Sequence, residues 1–162
     1  MGALTNFLGE KLDLKAAFLK SCNKYAGKNF LGKKHIAKNQ FVYVTYQEAK
    51  EYSLFIAKGI IEREFYVKKH GLRLVGLCSH GCPEAALVDF AAIQAEITTV
   101  TVDYSDHGYH QQLDEVVNQS DSMLCKIIDS TEITTLFGET RLLNKVIHLK
   151  KSHKLETLKN FI

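Results

Sequence analysis

Residues 72–102 read LRLVGLCSHGCPEAALVDFAAIQAEITTVTV, and the order of segment types within this stretch decides the fold. Leu72 to Leu77 is a short apolar run of the kind a buried strand needs. A polar turn follows at Cys78-Ser79-His80-Gly81. Cys82-Pro83-Glu84 then predicts a helix start: proline suits the first helical position, where no N–H is required, and Glu84 suits the positive end of the dipole. The helix expected over Pro83–Ala95 is apolar nearly all round, so it needs cover on more than one side. Thr98 to Val102 is β-branched and reads as a second strand. Strand, helix and strand at this spacing make a βαβ unit, with parallel pairing and a right-handed crossover.

On the C-terminal side, a polar loop from Asp103 to Gly108 leads to a helix carrying Leu113, Val116 and Val117. Met123 to Ile128 reads as a third core strand. Ser130 is expected to cap a helix running through Leu136 and Phe137, and Val146 to Leu149 to be the last strand. Residues 150–162 are basic, with Leu155, Leu158 and Ile162 in helical register, and read as an amphipathic C-terminal helix. Strands alternating with helices in this way predict an α/β chain with a doubly wound, mostly parallel sheet flanked by helices.

On the N-terminal side, Asp13 can cap a helix with Leu14, Ala17, Phe18 and Cys22 at helical spacing, stopped by Gly27. Gly27 to Lys34 imitates a phosphate-binding loop. Lys34 stands where a magnesium-binding Ser or Thr is required, and no apolar strand precedes the first glycine, so a basic solvated loop is the better reading. Phe41 to Thr45 is a strand. Thr45 and Glu48 form a capping box for a helix whose face is marked by Ala49, Tyr52, Phe55, Ile56 and Ile60. The resulting organisation is an N-terminal tail over 1–11, one α/β domain over 12–149 and the basic helix over 150–162.

Composition limits the function classes. The 162 residues are 46% hydrophobic and 24% charged, which is an ordinary globular balance. A net charge of +3 is too small to argue for nucleic acid, and no basic stripe carries interleaved aromatics. No apolar run is long enough for a transmembrane segment. The four cysteines show no disulfide-framework spacing and read as reduced thiols of an intracellular protein. Between mitochondrion and cytoplasm the sequence does not choose, because Glu10 and Asp13 dilute any presequence character.

The order of signals resembles one family. Leu31-Gly32-Lys33, then FVYVTYQE over 41–48, VGLCSHGCPE over 75–84 and TVTVDY over 99–104 follow one another as in long-chain acyl-CoA synthetases, which belong to the adenylate-forming, AMP-binding enzymes. The resemblance runs from about Leu12 to about Leu149 and implies the N-terminal portion of such an enzyme's large domain. In that family the chemistry resides further on. It needs a Ser/Thr/Gly-rich loop ending in Pro-Lys-Gly for the ATP phosphates, a Tyr-Gly-x-Thr-Glu segment, a ribose-binding Asp and a late catalytic Lys. None of these motifs occurs in this sequence. Ala85 also stands where the family usually has Trp, and Thr101 where it usually has Pro. The resemblance therefore carries over the fold and no catalytic residue. No cofactor is expected, and ATP, Mg and CoA would enter only if another chain completed the site.

Two constellations remain as candidate sites. Cys78-x-His80-x-Cys82 places a thiol at a helix N-terminus, where its pKa can fall, and a His beside it that invites metal. The competing reading is a tight turn with Cys82 as a weak cap. Gly76-Leu-Cys78-Ser79-His80 also imitates a nucleophile elbow but lacks its paired glycines. Asp103, Asp106, His107 and His110 cluster in a loop at a strand's C-terminal end, where open α/β sheets bind ligands. The competing reading there is a solvated loop.

These observations favour a non-catalytic, synthetase-like chain serving as a structural or accessory subunit of a larger assembly, with other chains covering its sheet edges and apolar helix faces. The alternatives are a fragment or one chain of a split fatty acid–CoA ligase, and a carrier of acyl-CoA or nucleotide. The basic tail leaves peripheral contact with an acidic membrane open.

Overall fold

The computed structural model describes residues 4–5, 11–79, 81–102 and 123–162. The chain divides into two compact units, one formed by Met1–Gly59 with Gly81–Glu96, the other by Ile60–His80 with Ile97–Ile162.

In the first unit, β1 (Leu4–Thr5) pairs antiparallel with β2 (Lys11–Leu12). Helix α1 (Leu14–Lys24) starts as expected, with Asp13 Oδ1 accepting the Ala16 N–H at 2.6 Å. Strands β3 (Asn29–His35) and β4 (Gln40–Thr45) form an antiparallel hairpin around a 3₁₀ turn at Ile36–Lys38. The basic segment ending at Lys34 is thus half of a hairpin, which corrects the loop reading. Asn39 takes the left-handed conformation (φ 47°) that lets the chain reverse, a role Asn tolerates better than most residues. The capping box is present at the head of α2 (Tyr46–Glu62): Glu48 Oε2 accepts the Thr45 N–H at 2.8 Å, and Thr45 Oγ1 accepts the Glu48 N–H at 3.2 Å.

The buried face of α2 differs from the expected one. Ala49, Ser53, Ala57 and Ile60 are buried, whereas Tyr52 and Phe55 face outward. Residues 49, 53, 57 and 60 repeat at helical spacing, and the stripe of large apolar residues is rotated away from them. Helix α3 (Pro83–Gln94) completes this unit, with Pro83 in its first turn. Aromatic rings tie these elements together. Phe18 stacks on Phe90 at 4.3 Å between centroids, Phe30 on Tyr46 at 4.1 Å, and Phe30 meets Phe90 at 5.5 Å.

The second unit is the sheet. Strand β5 (Val67–Lys69) runs antiparallel to β6 (Leu72–Cys78), while β7 (Thr98–Thr101), β8 (Thr135–Gly138) and β9 (Asn160–Phe161) extend it in parallel, in the order β7-β6-β8-β9. Gly76 of β6 lies opposite both Val100 and Leu136, so β7 and β8 flank β6 on opposite sides. That arrangement is the doubly wound, mostly parallel sheet expected. Helices α4, described over 123–131, and α5 (Leu143–Lys151) flank it. Leu124 and Ile128 of α4 join Leu136, Val146, Leu149, Leu155 and Leu158 in one buried cluster.

Element types after residue 122 differ from those expected. The supposed strand Met123–Ile128 belongs to α4, and Ser130 lies in the last turn of that helix instead of capping a following one: its hydroxyl donates to the Ile127 carbonyl at 3.1 Å. Leu136 and Phe137 lie in strand β8, and Val146–Leu149 lies in α5. Short apolar runs fit either state, and burial on the sheet's core decided between them. The expected helix over 150–162 is absent. Helix α5 ends at Lys151, and an irregular segment carries Leu155 and Leu158 into the core before β9. Among the described residues no helix is long and apolar enough to cross a membrane.

Candidate functional site

A doubly wound sheet opens a crevice at the C-terminal ends of the strands where the winding reverses. Here that point lies between β6 and β8, and the residues leaving those strands are Ser79 and Glu139. The Ser79 hydroxyl donates to Glu139 Oε1 at 3.2 Å, and Arg141 Nε pairs with Glu139 Oε2 at 2.8 Å. Both carboxylate oxygens are therefore engaged, which disfavours use of Glu139 as a general base. Beside it, the Phe161 ring lies over Gly138 so closely that a Cβ there would stand 2.8 Å from Cε2. Glycine at 138 is what permits this approach.

The arrangement is a clamp holding the ends of β6 and β8. Ser79 has a carboxylate beside it, and nucleophilic activation of a serine calls for a base that takes its proton. Sequence reasoning missed this cluster. Reading TLFG over 135–138 as a strand would have placed Glu139 at its C-terminal end and found it.

The sequence-derived candidates fall in different units. Cys78 is buried among the core side chains of the sheet unit, out of reach of solvent. Cys82 belongs to the other unit and is half-buried; its Sγ accepts the Ala85 N–H at 3.4 Å, the weak cap of the competing reading. His80, Asp103, Asp106, His107 and His110 lie outside the described residues. Among the described residues no group of three His, Cys, Asp or Glu side chains is placed to hold a metal ion.

Glu84, in the first turn of α3, is held below the ordinary carboxylate range, chiefly by its hydrogen bond from Lys33 Nζ at 2.7 Å. That ion pair crosses a groove of about 320 Å³ lined by Lys33, Lys34, His35, Val42, Val44, Pro83 and Glu84.

No protein-family model matches the chain. No curated protein sequence matches it either. Solved structures do. The A-PCP didomain of a carboxylic acid reductase from Segniliparus rugosus, in complex with AMP, superposes with a TM-score of 0.69 at 14% identity, over 94% of this chain and 21% of that one. The anthranilate CoA ligase AuaEII gives 0.68 at 11% identity, over 93% of this chain and 24% of that one. A long-chain-fatty-acid CoA ligase from Rhodopseudomonas palustris, so described provisionally, gives 0.63 at 12% identity, over 93% and 32%. This chain thus spans a third or less of each of these structures, and over that span it has the fold of the adenylate-forming enzymes.

Proposed function

We propose that this chain is a non-catalytic member of the acyl-CoA-synthetase-like group that works as an accessory subunit of a larger assembly. The observation that carries the reading is where the large apolar side chains lie. Phe55 on α2 is 72% exposed, with Tyr52 and Leu54 also exposed beside it, although the sheet unit closes a core of its own. Clustered exposed apolar residues of this kind mark interaction surfaces. The clamp at the sheet's crevice, where Glu139 is engaged by Ser79 and Arg141, agrees with a scaffold that serves contact. On this reading the chain binds no cofactor of its own.

A second reading draws on the same neighbours, several of which are ligases: the chain is one part of a split acid–CoA ligase. ATP, Mg and CoA would then belong to a site completed by another chain. ATP–pyrophosphate exchange with a panel of carboxylic acids separates the two. The accessory reading expects no exchange from the purified chain and none from the assembly isolated with it. Exchange by that assembly, lost when this chain is removed, would establish the split ligase instead.

A further inference from the structure

The β3–β4 hairpin has a composition found nowhere else in the molecule. Between Asp13 and Glu48 the sequence holds seven lysines and no Asp or Glu. Lys28 precedes β3, Lys33 and Lys34 lie within it, and Lys38 lies in the turn. The other strand of the hairpin carries Phe41, Val42 and Tyr43, which are 58%, 57% and 49% exposed. The two sets are separate along the chain, and the hairpin brings them together.

Pairing fixes which residues share a face. Lys34 lies opposite Phe41 and Gly32 opposite Tyr43, so Phe41, Tyr43 and Lys34 are on one face, and cross-strand neighbours on a face stand side by side. The two rings lie 6.0 Å apart at 25°. Tyr43 rests on the strand where Gly32 leaves room, since a Cβ there would stand 2.8 Å from its Cε1. Val42 and Lys33 occupy the opposite face, where Lys33 is committed to Glu84. Lys34 and Lys38 are exposed and have no acidic partner among the described residues.

We propose that this hairpin docks on an anionic lipid bilayer, with Phe41, Tyr43 and Val42 entering the headgroup region and Lys34 and Lys38 meeting lipid phosphates and carboxylates. Aromatic rings favour that boundary, and basic residues beside them add attraction to acidic lipid. Lysine richness argues against a protein partner at this surface, because lysine is depleted at protein interfaces. Apolar exposure on both faces of β4 argues against a base-stacking platform, which uses one face of a sheet. An inserting edge uses both.

The sequence contains no tryptophan, so a Phe41→Trp chain carries a single reporter at the proposed point of entry. Mixed with phosphatidylcholine vesicles containing about 30% phosphatidylserine, enough to give an acidic surface, its emission should shift to the blue and be quenched by brominated lipid. Pure phosphatidylcholine should give neither response. Lys34→Glu with Lys38→Glu should weaken partitioning of the native chain at least about tenfold, given the surface attraction per basic residue. Phe41→Ser with Tyr43→Ser should abolish sedimentation with vesicles while leaving the circular dichroism of the chain unchanged. Emission from the Phe41→Trp chain that is indifferent to acidic vesicles would overturn the proposal. So would vesicle binding that survives both double variants, or single-stranded RNA bound by the same residues in preference to vesicles.

Discussion

The unit of residues 60–80 and 97–162 and the unit of residues 1–59 and 81–96 differ in what fills their interiors. In the sheet unit Ile60, Val75, Val102, Ile128, Ile133, Leu136, Leu149, Leu155 and Leu158 are all essentially out of solvent. In the other unit Cys22 is the largest described side chain buried to that degree, and the interior is otherwise built from alanines, Ser53, Leu87 and the buried Phe18 ring with its half-covered partners. Among the described residues the exposed aromatic side chains, Tyr25, Phe41, Tyr43, Tyr52 and Phe55, all belong to this other unit. One unit closes an aliphatic core; the other relies on a smaller interior, ring stacking and helix caps, and carries the exposed rings.

The largest expected effect is in the core. Leu136→Ala should destabilise the chain by about 4 kcal/mol in urea unfolding, because Leu136 packs against Gly76 with no room to collapse. Amide exchange should then rise first in β6 and β8. Phe18→Ala removes the ring stacked on Phe90 and should cost less, about 2–3 kcal/mol, with exchange rising in β3 and α1. If Phe18→Ala costs more than Leu136→Ala, the contrast between the units fails.

Caps come next. Thr45→Ala removes the hydroxyl that accepts the Glu48 N–H and donates to the Glu48 carboxylate, leaves the backbone half of the capping box in place, and should cost about 1 kcal/mol, read as faster exchange in the first turn of α2. Acid should reach the same turn. The carboxyl of Glu48 is held below its ordinary value of 4.5, first by the Thr45 N–H and then by its hydroxyl. A carboxyl whose folded pKa lies below its unfolded one adds stability that is complete above the unfolded value and lost as pH falls through the folded one. Glu48→Gln should therefore flatten the decline in stability below about pH 4.5. The smallest effect is expected for Phe55→Ser, which should change stability by no more than about 0.5 kcal/mol because the ring is already in water. Its consequence should be loss of co-purifying chains.

Up to Val102 the chain was largely legible because its signals are local. Asp13, Thr45 with Glu48, and Pro83 each mark a helix start by a hydrogen-bonding or steric requirement that any context preserves. Beyond residue 122 the information is not local. MLCKII over 123–128 and TLFG over 135–138 are short apolar runs, and only their places against the core separate helix from strand. The Ser79–Glu139–Arg141 clamp was hidden for the same reason, since it depends on β8 being a strand. The hairpin surface was hidden differently: lysines in one strand and aromatics in the other meet only through pairing.

The central claim is that this chain acts through contact rather than catalysis, and the native mass of the endogenous protein in a gentle extract tests it most directly. The account expects migration within a large complex, with no co-migrating chain that carries a Pro-Lys-Gly phosphate loop. Migration as a lone monomer, or beside such a chain, would contradict it.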